Sequence, residues 1–324
     1  MSIQRILIPL LAVTLVLSGC AGAQTPTPNQ HAVFSPVVQS SGGTGGLSAP
    51  RGVLPAFTAT FLIDFKGAET WKYQLQERKT PELHEVSLHI EGPESMKNPG
   101  DVRIVTDGST TWMTGPGTDN ECVMFPNGQG MDPTLIYPEH MVPVQNLLGQ
   151  LAYQKDDPVA GSASRYYRGS ALNLGDWKDA QVEVWQGNES SALLQFGMLA
   201  NGEDKLFGFG QGSVFAHYRV DSLETPTIEP VPGCELSVPL PDSASGLVRL
   251  PGLASFESST PVDQMRDFYA SALPQEGWAI SEPPAQSEVS TVLSYRRDAE
   301  EVEIHLESTE AGGSRVRIMF MDVQ

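Results

Sequence analysis

From Phe57 the chain alternates between apolar and polar positions. In FTATFLIDF, residues 57–65, Phe57, Ala59, Phe61, Ile63 and Phe65 are apolar, while Thr58, Thr60 and Asp64 are polar. In ETWKYQLQER the apolar Trp71, Tyr73 and Leu75 alternate with Lys72, Gln74 and Gln76. Successive side chains of a strand point to opposite faces, so this period of two predicts strands with one covered and one wet face. The Lys66-Gly67 region between them predicts a turn, and hence an antiparallel hairpin. The beat continues through Val86, Leu88 and Ile90, then Val102 and Ile104, then TTWMTG and ECVMF, with Gly, Pro, Asn or Asp clusters between. It resumes in SRYYRG, AQVEVWQG, SALLQFGML and SVFAHYRVD. The expectation is a meander of long strands.

One segment breaks the alternation. In YPEHMVPVQNLLGQLAY, Val144, Leu147, Leu148 and Leu151 fall at i, i+3, i+4 and i+7, which predicts an amphipathic helix starting near Pro143. A lone helix among antiparallel strands buries its stripe best against the open face of their sheet. Further on, EPVPGCELSVPLPDSASG is rich in Pro and Ser and marks a boundary. Beyond it Thr260 is placed as an N-cap, with Pro261 in the first turn, Asp263 three residues after the cap and Pro274 as the stop. Val262, Met265, Tyr269 and Ala272 then share a helix face. Three strands follow, STVLSYRR, EVEIHLES and SRVRIMFM. Their inward sets are Val292 or Leu293 with Tyr295, then Val302, Ile304 and Leu306, then Val316, Ile318 and Phe320. A helix packed on such strands predicts a small α+β domain.

The N-terminus reads differently from the rest. After Arg5 comes ILIPLLAVTLVL, an apolar run of about a dozen residues, too short to span the membrane and of signal-peptide length. Leu17-Ser18-Gly19-Cys20 resembles the bacterial lipobox, which implies cleavage before Cys20 and acylation of its thiol. Two or three acyl chains exceed the threshold for stable anchoring. The following stretch to residue 52 is rich in Pro, Ser, Thr, Gly and Gln, and predicts a flexible tether. The expected organisation is a signal peptide at 1–19, a tether at 20–52, a sheet domain at 53–235 and the small α+β domain at 236–324.

Composition narrows the partners. Against 20 Lys+Arg stand 39 Asp+Glu, a formal net charge of −19. Such a surface repels nucleic acid and anionic lipid headgroups, so no nucleic-acid partner is expected and any lipid contact must be apolar. With Cys20 acylated, Cys122 and Cys234 remain for an oxidising compartment. A disulfide is the simplest outcome, and two free thiols are the alternative. Closing a loop of that length stabilises by roughly 4 to 5 kcal/mol on the chain-entropy model.

The export signal, the lipobox and a curved antiparallel sheet with a helical lid together resemble the LolA/LolB lipoprotein-carrier superfamily and its LppX/LprG relatives. The residues that carry the resemblance are FTATFLIDF, ETWKYQLQER, VPVQNLLGQLAY, QVEVWQGN and SVFAHYRVDSL, over roughly Leu54 to Cys234. The resemblance implies a mainly β, α+β chain: a curved antiparallel half-barrel with a helical lid, holding an acyl chain between sheet and helix. Phe57, Phe61, Phe65, Trp71, Tyr73 and Leu75 are the candidate ligand-facing residues of the sheet, and Leu147, Leu148 and Leu151 those of the lid.

Catalytic chemistry is not legible. The sequence has no G-x-S-x-G, H-E-x-x-H, P-loop or EF-hand pattern, so neither enzyme activity nor a cofactor is expected. Glu303, His305 and Glu307 share a strand face and could grip a cation, but such a trio is more often a solvated acidic face. The glycines of GFGQGS, residues 208–213, precede a strand, which favours a hairpin turn over a phosphate cradle. The sequence therefore predicts an extracytoplasmic lipoprotein, anchored through Cys20, that binds a lipid or other hydrophobic ligand. A cell-envelope interaction module without a small-molecule ligand is the alternative.

Overall fold

A computed structural model describes residues 53–96, 100–118, 121–127, 147, 149–205, 208–287 and 290–322. The signal, the tether, Cys20, Val144 and Leu148 lie outside the described residues. The fold is mainly β, with antiparallel strand pairing among the described strands and one α-helix described over its full length; Leu147 is also helical.

Two compact units are present, and their boundary does not follow chain order. The described residues up to Val105 group with those of 133–229, while 106–132 group with 230–324. The stretch 106–132, placed by the sequence reading inside a continuous 53–235 domain, thus belongs with the C-terminal residues. The pairings of its own strands supply the reason. After β4 (Gly100–Thr106), β5 (Thr110–Thr114) pairs with β6 (Val123–Pro126), and Met124 of β6 bridges to Arg249 of a C-terminal strand.

The first unit is built on β1 (Phe57–Gly67), β2 (Thr70–Lys79) and β3 (His84–Glu91), with β7 (Ala152–Asp156), β8 (Ser164–Leu174), β9 (Trp177–Gly187), β10 (Leu193–Asp204) and β11 (Gly210–Ser222). Its antiparallel registers run in the order β3, β2, β1, β11, β10, β9, β8, β7. The long connection from β3 to β7 lets the last strand, β11, return to lie beside the first. Register shifts between Gly169 and Leu172 in β8 and between Leu199 and Asn201 in β10 mark bulges, and Ala171 and Asp179 there take positive φ. Bulges at one level of three neighbouring strands bend the sheet. The turn end of β1 needs glycine for a close approach: Gly67 pairs with Gly212, and a Cβ on Gly212 would meet the Phe65 ring at 2.4 Å.

In the second unit β12 (Ala244–Leu250) pairs with β13 (Leu253–Ser258). The order continues through β17 (Ser314–Asp322), β16 (Glu300–Ser308) and β15 (Ser290–Arg297) to β14 (Ala279–Gln286). The helix α1 (Val262–Gln275) buries Met265, Tyr269 and Leu273. These meet Phe256, Leu293, Tyr295, Val302, Ile304, Leu306, Val316 and Ile318 in one core. Leu273 takes the buried position where the sequence reading put Ala272, because the stripe advances at i, i+4, i+8. Thr260 does not cap α1. The N-cap is Pro261, and the Thr260 hydroxyl is instead within 2.8 Å of Ser243 Oγ. Pro274 lies inside the last turn, and the stop is a Schellman motif: Trp278 N–H donates to the Leu273 carbonyl, Gly277 N–H donates to Pro274, and Gly277 has φ +85°. Trp278 then packs in the same core as Leu273.

Cys122 and Cys234 are joined by a disulfide, Cα–Cα 5.0 Å, and both fall in the second unit. It ties the excursion 106–132 to the C-terminal residues.

Candidate hydrophobic-ligand site

Register places the apolar positions of the first unit on one face. Phe61 lies opposite Leu75 and Tyr218, Phe65 opposite Trp71 and Val214, and Ile63 opposite Tyr73 and Ala216. From β11 the face passes to Phe196 and Met198 of β10, to Val184 and Val182 of β9, and to Tyr167 and Gly169 of β8. On the other side Leu75 meets Leu88, and Tyr73 meets Ile90. All six sheet residues proposed from sequence, Phe57, Phe61, Phe65, Trp71, Tyr73 and Leu75, lie on this face and are buried. Edge-to-face contacts of Phe61 with Tyr73 and Tyr218, and the stacking of Phe65 on Trp71, fix the aromatic side chains.

Of the residues proposed for the lid, Leu147 and Leu151 are described and both are buried. Gln150 N–H donates to the Leu147 carbonyl in a turn leading to β7. Leu151 lies on the apolar face: a Cβ on Gly169 would stand 2.6 Å from Leu151 Cδ2. Gly169 is therefore the seat of this leucine, and β8 could not bring it so close with any larger residue.

The same parity carries a residue that the sequence reading passed over. Trp71, Tyr73 and Leu75 are followed on that face by Glu77, which is fully buried. Its cross-strand neighbours are Ala59 and Val86, neither of which can donate a hydrogen bond from its side chain. Glu77 Oε1 lies 2.6 Å from His84 Nε2, and Oε2 has no hydrogen-bond partner. Loss of water pushes this carboxyl up to about 8, with Lys79 pulling it down. The legible signal was parity: a carboxylate at the fourth beat of an apolar strand face. At the opposite end of the face Trp71 Nε1 donates to Asp204 Oδ2 at 3.0 Å, and Phe209 N–H donates to the same oxygen at 3.3 Å.

On the adjoining β2–β3 surface, Glu85 is buried between Arg103 Nε at 2.6 Å and Arg78 Nη1 at 3.5 Å, a network that holds the end of the hairpin. The other face of the sheet carries a stacked pair, Tyr166 and Trp185, with ring centroids 4.4 Å apart. Tyr166 Oη donates to Glu183 at 2.6 Å and Trp185 Nε1 donates to Asp157 at 2.9 Å.

The remaining candidates are dispersed. Glu307 pairs with Arg317 at 3.3 Å, and His305 lies 3.4 Å from Glu303. Among the described residues no group of three or more His, Cys, Asp or Glu side chains is placed to hold a metal ion. Gly210 opens β11, directly after the β10–β11 connection. Among the described residues no helix is long and apolar enough to cross a membrane.

A family model described as START domain-like matches residues 242–313, less than a quarter of the chain and wholly within the second unit. No curated protein matches the sequence. Two solved structures are similar: the MucA/MucB complex of Pseudomonas aeruginosa, at 13% identity over 82% of this chain and 87% of that one with a TM-score of 0.26, and MucB bound to periplasmic MucA, at 13% identity and the same coverage with a TM-score of 0.23. Superposition scores this low assign no function.

Proposed function

We propose that this chain is an extracytoplasmic binding protein whose first unit holds a lipid or other hydrophobic ligand against its sheet, with no covalent chemistry. The observation that carries the reading is the uninterrupted apolar face from β3 to β8, with Leu151 seated on it at Gly169. Faces of this extent, with few polar groups, are what hydrophobic ligands occupy. The interior of the second unit is filled by its own side chains, twelve of its fourteen core residues being less than 3% exposed. The START domain-like match supports a ligand-binding or protein-interaction role in the broad sense for the second unit, where it lies. The disulfide supports an oxidising compartment, and the proposed anchor is acylated Cys20.

The test is direct. Protein made with Cys20→Ser is purified without detergent, extracted with organic solvent and analysed by mass spectrometry. A co-purifying acyl species near one per chain is the expected result, and a clean extract overturns the reading. The second reading, an envelope interaction module, is favoured by the half-buried Tyr166–Trp185 stack with its acidic partners on the opposite face. A clean extract together with loss of cell-wall or protein binding in Trp185→Ala would establish it.

A further inference from the structure

We propose that Glu77 is the polar anchor of this apolar face, and that the ligand is an amphiphile whose head donates hydrogen bonds, an ammonium or a hydroxyl, with its chain running along β2 toward Trp71. The inference rests on the binding reading above and names the chemistry of its ligand. A buried carboxylate oxygen without a partner is costly and rare, because burial strips the water that would otherwise satisfy it. Here the fold keeps one at the end of an otherwise apolar strand face.

The geometry decides what the oxygen asks for. At 2.6 Å, Oε1 and His84 Nε2 share one proton between them, whichever atom owns it. Oε2 is then left bare and can only accept. Ala59 and Val86 flank it with no donor, and the backbone of these strands is already paired in the ladders. A carboxylate or phosphate head would meet repulsion, so the complementary group is a donor. The chain's place follows from the same face. From Glu77 to Trp71 are six residues of strand, about 20 Å, which exceeds the ~15 Å that one leaflet's chains occupy in a bilayer. Phe61, Leu75, Tyr73 and Phe65 line that path.

The two kinds of donor head separate by pH. Glu77 is faced by His84 of β3 and by Lys79 of its own strand, and β1 presents only Phe57 and Ala59. An ammonium gains when the Glu77–His84 pair loses its proton. Burial sets that loss near pH 8, so amine affinity rises between pH 6 and pH 9 while an alcohol's stays nearly level.

The experiment follows the intrinsic tryptophan fluorescence of the full chain carrying Cys20→Ser during titration with dodecylamine, dodecanol and dodecanoate. The expected result is at least tenfold tighter binding of the amine or the alcohol than of dodecanoate, with that preference abolished in Glu77→Gln. Equal affinity for all three, unchanged in Glu77→Gln, overturns the anchor and leaves the apolar site standing. No binding of any probe overturns the binding reading itself. The pH series on the unsubstituted Glu77 protein keeps the test independent of how well the variant folds: a preference for dodecanoate at every pH overturns the anchor by itself.

Discussion

Glu77 is where a single residue opposes the stability of its own fold. Its carboxyl is held at about 8 against an ordinary 4.5, with loss of water as the leading cause. Because the folded value is raised, the folded state binds more protons than the unfolded one between those two values. The stability this group contributes is complete below about pH 4.5 and is lost as pH rises to about 8. Urea denaturation at pH 5 and pH 8 is expected to show this decline, and Glu77→Leu is expected to flatten it. The leucine should also raise stability at pH 8 by about 1–4 kcal/mol, the gain typical when a buried ionisable group gives way to an apolar one. A leucine variant no more stable than the parent would mean that Oε2 finds a partner in solution. The neighbouring Glu85 is also buried, but Arg103 and Arg78 lie against its carboxylate. Arg103→Ala leaves it buried with one weaker partner and is expected to cost about 3–5 kcal/mol in the same measurement.

At the scale of elements, two close contacts make specific demands. Leu151 reaches the sheet only because β8 has no side chain at Gly169, with the Gln150 carbonyl also 3.1 Å from any Cβ there. Gly169→Ala is expected to push the 147–151 segment off the sheet and to cost about 1–3 kcal/mol. Hydrogen exchange should show faster opening of the amides of 149–152. Leu147→Asp, at a fully buried position, is expected to reduce retention of the co-purifying acyl species. Unchanged retention with an intact fold would remove Leu147 from the site. In the second unit Gly277 ends α1 at φ +85°, with nothing closer than 3.7 Å to an added Cβ. Gly277→Ala therefore isolates the conformational cost of a left-handed residue, expected at about 1–2 kcal/mol in thermal denaturation. The exposed strand β14 carries Pro283 and Pro284 amid register shifts, the usual protection of a strand that would otherwise recruit another chain.

For the whole molecule the disulfide matters most. It links Cys122 in the 106–132 excursion to Cys234 across 112 residues, inside the second unit. Replacing both cysteines by serine is expected to lower that unit's stability by about 2–5 kcal/mol. A reductant should reproduce the effect in the parent and do nothing in the variant. The alternation of FTATFLIDF and ETWKYQLQER was enough to determine strands, their covered face and the six apolar residues on it, because period two is a local property of the extended backbone. The same reasoning identified the inward sets of β15, β16 and β17. It did not find β14, whose residues are all exposed and so leave no alternation. Nor could it assign 106–132 to the C-terminal unit, since strand alternation says which face is covered and not by what. The bare oxygen of Glu77 likewise needed the register. A strand sequence determines that Glu77 shares a side with Leu75, but only the pairing with Ala59 and Val86 and the approach of His84 decide that one carboxylate oxygen is satisfied and the other is not. Local periodicity is written in the chain, whereas desolvation depends on residues far away in sequence.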